Sequence, residues 1–441
     1  MRQDRRRFLA STGSAFAALA ASGCTHRVGR ASAPGDAEFA DGYGALVPDP
    51  EGLVDLPPGF SYRVISQLGD PMGDGGTVPD RADGMGCFDL GGGKLALVRN
   101  HELQPQHDGG GVAGPAYDTV ARSLVPLPGG TTTIVLDGAT LGVERQYRSL
   151  AGTIRNCAGG ITPWGSWLSC EENTDAANGR INKDHGWVFE VPADAPGLVT
   201  PVPLTAMGRF NHEAACVDPA SGIVYLTEDR DDSLLYRFIP ARPGMLAEGG
   251  RLEALVLENV ADTRNWDGRA VEVGGWNAAN WIALDDVEAP KDDLRQRGAA
   301  AGASVFARGE GIWMGDGELY FACTSGGAAE QGQIFRLRPQ ASGPDRLQLF
   351  FESTDKEQYS FGDNLTVAPN GHLVVCEDQY TLVVANHLRG ITPEGRSYAF
   401  GFMRLQTELA GACFSPDGRT LFVNAYSPAH TIAITGPWKW L

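Results

Sequence analysis

Short apolar runs separated by turns rich in glycine, proline and aspartate recur along the chain, and their spacing predicts strands rather than helices. One kind of run returns six times, as Lys94–Asn100, Ser166–Cys170, Ile223–Thr227, Glu318–Cys323, His372–Cys376 and Thr420–Asn424. A small-residue strand and a turn precede each copy, and most copies end in polar residues. A further strand follows each, as Thr131–Val135, Gly186–Val191, Leu234–Ile239, Gln333–Leu337, a weaker Leu388–Thr392 and Thr431–Thr435. Six copies of a three- or four-stranded unit predict an all-β fold, a six-bladed β-propeller over residues 46–441. A β-sandwich is the competing arrangement. Residues 241–304, with Trp266, Trp276 and Trp281, form a long insertion between the third and fourth units. It is expected to cover one face or to form a small subdomain.

The polar positions fall into two series. The residues that open the first strands are Asp83, Asn156-Cys157, Asn211-His212-Glu213, Arg308-Gly-Glu310, Asp363-Asn364 and Gly411-Ala412. Those that close the second strands are Asn100-His101-Glu102, Cys170-Glu171-Glu172-Asn173, Glu228-Asp229-Arg230 and Glu377-Asp378, while the fourth and sixth copies end without an acid. In a propeller both series meet at one end of the central channel. So many facing carboxylates raise each other's pKa, and cations resolve that conflict. The donors are chiefly hard oxygens, which suit calcium, with a thiol and two imidazoles available to a transition metal such as iron. Glu102, Glu213, Glu228, Asp229, Asp363 and Glu377 are therefore candidate metal ligands. His101 and His212 are open between a supporting and a structural role. Arg308 is open between an ion pair with Glu310 and a bidentate fork for a phosphate or carboxylate.

Composition narrows the partners. With 58 Gly and 27 Pro the chain is rich in turns, and a net charge of −18 argues against nucleic acid or an anionic membrane surface. The N-terminus, Arg5-Arg6-Arg7-Phe8-Leu9 followed by Ser14–Ala21, reads as a twin-arginine export signal over residues 1–26, with a linker over 27–45. That implies the twin-arginine translocation machinery as a partner and a periplasmic, extracellular or cell-surface location. Ala21-Ser22-Gly23-Cys24 is similar to a lipoprotein processing site, and lipid anchoring on Cys24 is left open. Of eight cysteines, the seven beyond Cys24 stand in strand-like contexts and suggest buried thiols or a metal-bound thiolate, not a disulfide framework.

These segments together carry a family resemblance. Asn156-Cys157-Ala, Thr162–Asn173 with its Cys170-Glu171-Glu172-Asn173 end, Gly208–Glu213, Arg308-Gly-Glu310, Asp363-Asn364-Leu and Phe414–Asn424 resemble the PhoX family of bacterial alkaline phosphatases over about residues 45 to 440. The resemblance implies a six-bladed propeller holding two Fe(3+) and three Ca(2+) ions, with a cysteine among the iron ligands. Carried onto this chain, it implies Cys170 as the iron-bound thiolate, Glu171, Glu172, Glu213 and Glu310 around the cluster, and Arg308 on the phosphate. The catalytic residues so implied are Arg308, Cys170 and Glu213, acting in metal-assisted hydrolysis of a small phosphate ester by a monomer with an alkaline optimum. Two departures stand out: Gly309 replaces an expected proline, and Glu228-Asp229-Arg230 replaces a Gly-Asp-Asp-like run.

Two other functions fit the same fold. A calcium-dependent lactonase or esterase would use Asp363-Asn364, and a non-catalytic propeller would bind a partner through the tryptophan-rich insertion. No Ser-His-Asp order, Walker loop or dinucleotide fingerprint provides a rival centre.

Overall fold

A computed structural model describes residues 42–438 apart from 112 and 113. The signal, most of the linker and Cys24 lie outside the described residues. Among the described residues the chain is almost wholly β, with one short α-helix, Leu294–Ala300, and no helix long and apolar enough to cross a membrane.

The fold is propeller-like. Six inner strands, Ala82–Gly91, Asn156–Ile161, His212–Val217, Gly309–Met314, Gly362–Val367 and Leu409–Phe414, pack side by side in chain order, and the last returns to the first. Each carries its hairpin partner and further antiparallel strands outward. The ring closes where the early strand Ser61–Gln67 joins the sheet of the late strand His430–Thr435.

The hydrogen-bonded sheets number five, of five, nine, four, four and three strands, where six separate blades were expected. The insertion is the cause. Gly250–Leu257 is the fourth strand of the third unit, and Trp276–Ala283 pairs with it on one side and with Asp345–Glu352 of the fourth unit on the other. The third and fourth units thus share one nine-stranded sheet. Residues 241–304 are therefore anchored in a sheet through two strands rather than set apart as a subdomain.

Close approach of the inner strands depends on small residues. A Cβ at Gly84 would lie 2.5 Å from the Ala158 backbone, and one at Gly311 would lie 2.7 Å from that of Asn364. Side chains then clip each strand to its neighbour. Asn100 donates to the Cys157 and Ala158 carbonyls at 3.1 and 2.7 Å, Thr227 to the Glu310 carbonyl at 2.6 Å, and Asn424 to the Asp83 carbonyl at 2.6 Å. Asn364 accepts from the Gly411 amide at 2.7 Å. These buried bonds fix the starts of the inner strands they reach, where the polar residues sit.

Candidate metal centre

All six inner strands break their ladder near the start. The register shifts between Ala82 and Met85, Asn156 and Gly159, His212 and Ala215, Gly309 and Ile312, Gly362 and Leu365, and Ala410 and Cys413. A bulge bends the strand and re-aims the side chain it carries. In the first five the residue that opens the bulge is Asp83, Cys157, Glu213, Glu310 and Asp363; in the sixth the stretch is Ala410-Gly411, with nothing to coordinate. One geometric device, repeated around the ring, thus collects four carboxylates and a thiol.

A second series joins them from the hairpin partners. Backbone bonds from Glu102 to Arg81, Glu172 to Arg155, Asp229 to Asn211, Thr324 to Arg308, Asp378 to Phe361 and Tyr426 to Glu408 repeat around the ring. Together the two series make three interlocking donor groups: Asp83, Glu102 and Cys157; Cys157, Glu172 and Glu213; Glu213, Glu310 and Asp363. Within each group the donor atoms lie within 4.8 Å of one another, and Cys157 and Glu213 each belong to two groups. The Cys157 Sγ is 3.5 Å from Asp83 Oδ2.

Burial sets the electrostatics. It raises Asp83, Glu213 and Glu310 well above the usual carboxylate range, and mutual repulsion among them and Asp363 adds to the effect. Asp363 is pushed up to about 7, by burial and then by Asp378. The Cys157 thiol is likewise raised by burial and by the surrounding carboxylates, Asp83 first. Asp83 Oδ1 and Glu213 Oε1 are buried with no hydrogen-bond partner. Unpaired buried acceptors are costly, and these two lie where donor groups already converge.

Two guanidiniums offset part of this charge. Arg155 donates from Nε to Glu102 at 2.8 Å and from Nη2 to Glu172. Arg308 forks onto Asp229 at 2.6 and 2.7 Å and reaches Glu310 at 2.8 Å. Both arginines hold left-handed backbone, with φ of 50° and 51°. Asp83, Glu102, Glu172, Glu213, Asp229, Glu310 and Asp363 nevertheless outnumber them, so the donor set fits cations: hard oxygens throughout, with one soft sulfur between two groups. Because the carboxylates must shed protons to ligate, metal affinity is expected to rise from pH 6 to pH 8, with proton release on loading. Calorimetry in buffers of different ionisation enthalpy measures this, and uptake that is independent of pH and proton-neutral would contradict it.

The placement of the other predicted residues corrects the sequence reading. Cys170 does not reach the donor groups: it lies fully buried among Leu168, Val188, Leu204, Met207 and Phe210. Glu171 points away from them too and accepts from the Ile154, Gly186 and Trp187 amides, with His185 at 2.6 Å. Glu377 is occupied by the Ser360 and His387 amides and by Arg389 at 2.7 Å. Glu228 accepts from the Tyr236 hydroxyl at 2.6 Å and lies outside the three groups. Strand alternation explains the set. Glu171, Glu228 and Glu377 pair with the first residues of the inner strands, and the next residues, Glu172, Asp229 and Asp378, face the centre. His101 bonds the Asp80 carbonyl and Thr132, His212 bonds the Gly208 carbonyl against the Phe210 ring, and both lie outside the three donor groups.

Cys157 and Asp83 are the chief ligand candidates not chosen from sequence. The available signal was their place in the first-strand series, in phase with Glu213, Glu310 and Asp363. Glu408 was also missed; burial and then Asp378 raise its pKa well above the usual range, placing it at the edge of the same field.

A family model described as alkaline phosphatase PhoX matches residues 41–140 and 111–429. Among solved structures, Pseudomonas fluorescens PhoX in complex with vanadate, a transition state analogue, is similar at 20% identity with a TM-score of 0.68, covering 87% of this chain and 96% of that one. A gluconolactonase from Xanthomonas campestris, XC5397, aligns at 13% identity and a TM-score of 0.41 over 89% of this chain and 98% of its own. No curated protein sequence matches the chain.

Proposed function

Given that the chain belongs to the alkaline phosphatase PhoX family and is therefore a metal-dependent phosphoric monoester hydrolase, we propose that its chemistry takes place at the buried carboxylate and thiol centre. The observation that carries this reading is the interlocking of three donor groups through Cys157 and Glu213, with Arg308 bonded to Glu310 in the third. Asp83, Glu102, Cys157, Glu172, Glu213, Glu310 and Asp363 would hold the metals, with iron at the thiolate and calcium among the oxygens. When bound, these cations supply positive charge against the phosphoryl oxygens and ease deprotonation of the attacking water.

The chain's own residues then have distinct tasks. Arg308 presents a guanidinium whose orientation is set in advance by the Asp229 fork, and it holds the phosphoryl group as charge develops. Asn100 and Thr227 keep Cys157 and Glu310 in place through their carbonyls. The raised carboxylates favour turnover at alkaline pH, where they have given up their protons. The vanadate bound in Pseudomonas fluorescens PhoX supports an oxyanion site in this fold.

Fusion of two blades through Trp276–Ala283 in the nine-stranded sheet supports a six-bladed reading of the propeller-like fold. Arg5-Arg6-Arg7-Phe8-Leu9 supports export by the twin-arginine route to the periplasm or cell surface.

Metal analysis beside p-nitrophenyl phosphate hydrolysis tests the reading. Removing metals with a chelator is expected to abolish turnover, and restoring them to recover it. Undiminished hydrolysis by protein shown to be metal-free would overturn it. Arg308→Ala is expected to lower kcat/KM by about a hundredfold with metal content retained.

A further inference from the structure

One wall beside Arg308 differs chemically from the rest of the centre. Two residues beyond Asp378 the chain turns outward as Tyr380-Thr381-Leu382-Val383. Tyr380 is 44% exposed, and the Arg308 guanidinium carbon lies 5.7 Å from its ring centroid. Phe361 meets the same ring edge to face at 5.5 Å. Leu382 and Val383 are 80% and 74% exposed at the tip. The loop is tied at its base: the Gln379 amide donates to Asn386 at 2.9 Å, the Ala385 amide to Gln379 at 3.2 Å and the Val384 amide to Gln406 at 3.0 Å.

A phosphate ester held at Arg308 must place its organic group within a few ångströms of the guanidinium, which is the distance to Tyr380. The donor groups beside it are carboxylates and one thiol, and the neighbouring Arg155 is committed to Glu102 and Glu172. A second anionic group on the substrate would meet like charge, whereas an apolar one would cover exposed aromatic and aliphatic surface. We propose that Tyr380, backed by Phe361 and extended by Leu382 and Val383, is the binding subsite for the leaving group, and that it selects phosphate monoesters of uncharged aromatic or apolar alcohols. The proposal deepens the phosphatase reading and rests on it for the position of the phosphoryl group.

Binding of non-hydrolysable phosphonates to the metal-loaded full chain separates the two. By calorimetry, phenylphosphonate is expected to bind about tenfold more tightly than methylphosphonate. Tyr380→Ala is expected to erase that preference while methylphosphonate affinity stays within about twofold, and Tyr380→Phe to retain it. No preference in the wild type, or one undiminished in Tyr380→Ala, would overturn the subsite. Phosphate release from p-nitrophenyl phosphate is read in parallel. Turnover without the phenyl preference removes the subsite alone, and the preference without turnover removes the phosphatase reading while supporting the subsite.

Discussion

Replacing Cys157 by serine is expected to lower kcat/KM for p-nitrophenyl phosphate by a factor of about a hundred to a thousand. Cys170→Ala should leave it within about threefold, because removing a side chain from the apolar core costs stability, on the order of 1 kcal/mol, and no ligand. Cys157 Sγ is common to the Asp83–Glu102 and Glu172–Glu213 groups, so its loss weakens two sites together. Cys170 sits between Leu168 and Val188 in the core of the sheet, and burial alone pushes its thiol pKa up, which disfavours the thiolate a metal would need. Absorption from thiolate-to-metal charge transfer provides a readout independent of turnover. It should vanish in Cys157→Ser and persist in Cys170→Ala, and the reverse pattern would return the ligand role to Cys170.

That contrast also shows what the sequence could reveal. The repeat of hairpins and the ring of polar strand starts were legible from strand period and turn chemistry; of the donors brought together here, Glu102, Glu213 and Asp363 followed from that placement, and Glu172 and Glu310 from the family resemblance. Cys170-Glu171-Glu172 was harder, since a thiol and two carboxylates stand in succession and only the last, just past the strand end, reaches the centre, while Cys170 is set back in the apolar core. Glu172 does so, and Glu171 instead anchors the Trp187 segment and His185. Reading Cys157 correctly required placing it in phase with Glu213 across a bulge, and bulges leave little trace in one copy of a repeat. The fusion of the third and fourth units was not legible, because Trp276–Ala283 takes its role from two partners far apart in the chain. Arg155 was hidden for a similar reason: its ion pairs join Glu102 of one unit to Glu172 of the next.

Glu213→Gln is expected to abolish turnover and at the same time to stabilise the metal-free protein. Glu213 is shared by the Cys157–Glu172 and Glu310–Asp363 groups, so an amide there removes an anionic ligand from both, and kcat/KM should fall by about a thousandfold. Without metal, the carboxyl is buried, its Oε1 has no partner, and Glu310, Asp363, Glu172 and Asp83 all disfavour its charge. Its folded pKa therefore lies above the unfolded value, and the folded state binds more protons than the unfolded one. Stability from this group is fully present below about pH 4 and declines as pH rises through the elevated folded value. The amide cannot titrate, so metal-free Glu213→Gln should melt above the metal-free wild type, and the gap should widen from pH 5 to pH 8. Loading with metal should reverse the order, because only the wild type then gains the full set of ligands. Thermal melts of both proteins, with and without metal, at those two pH values decide it. A variant less stable than the wild type in the metal-free state at pH 8 would mean that Glu213 supports the fold itself rather than carrying strain on behalf of the centre.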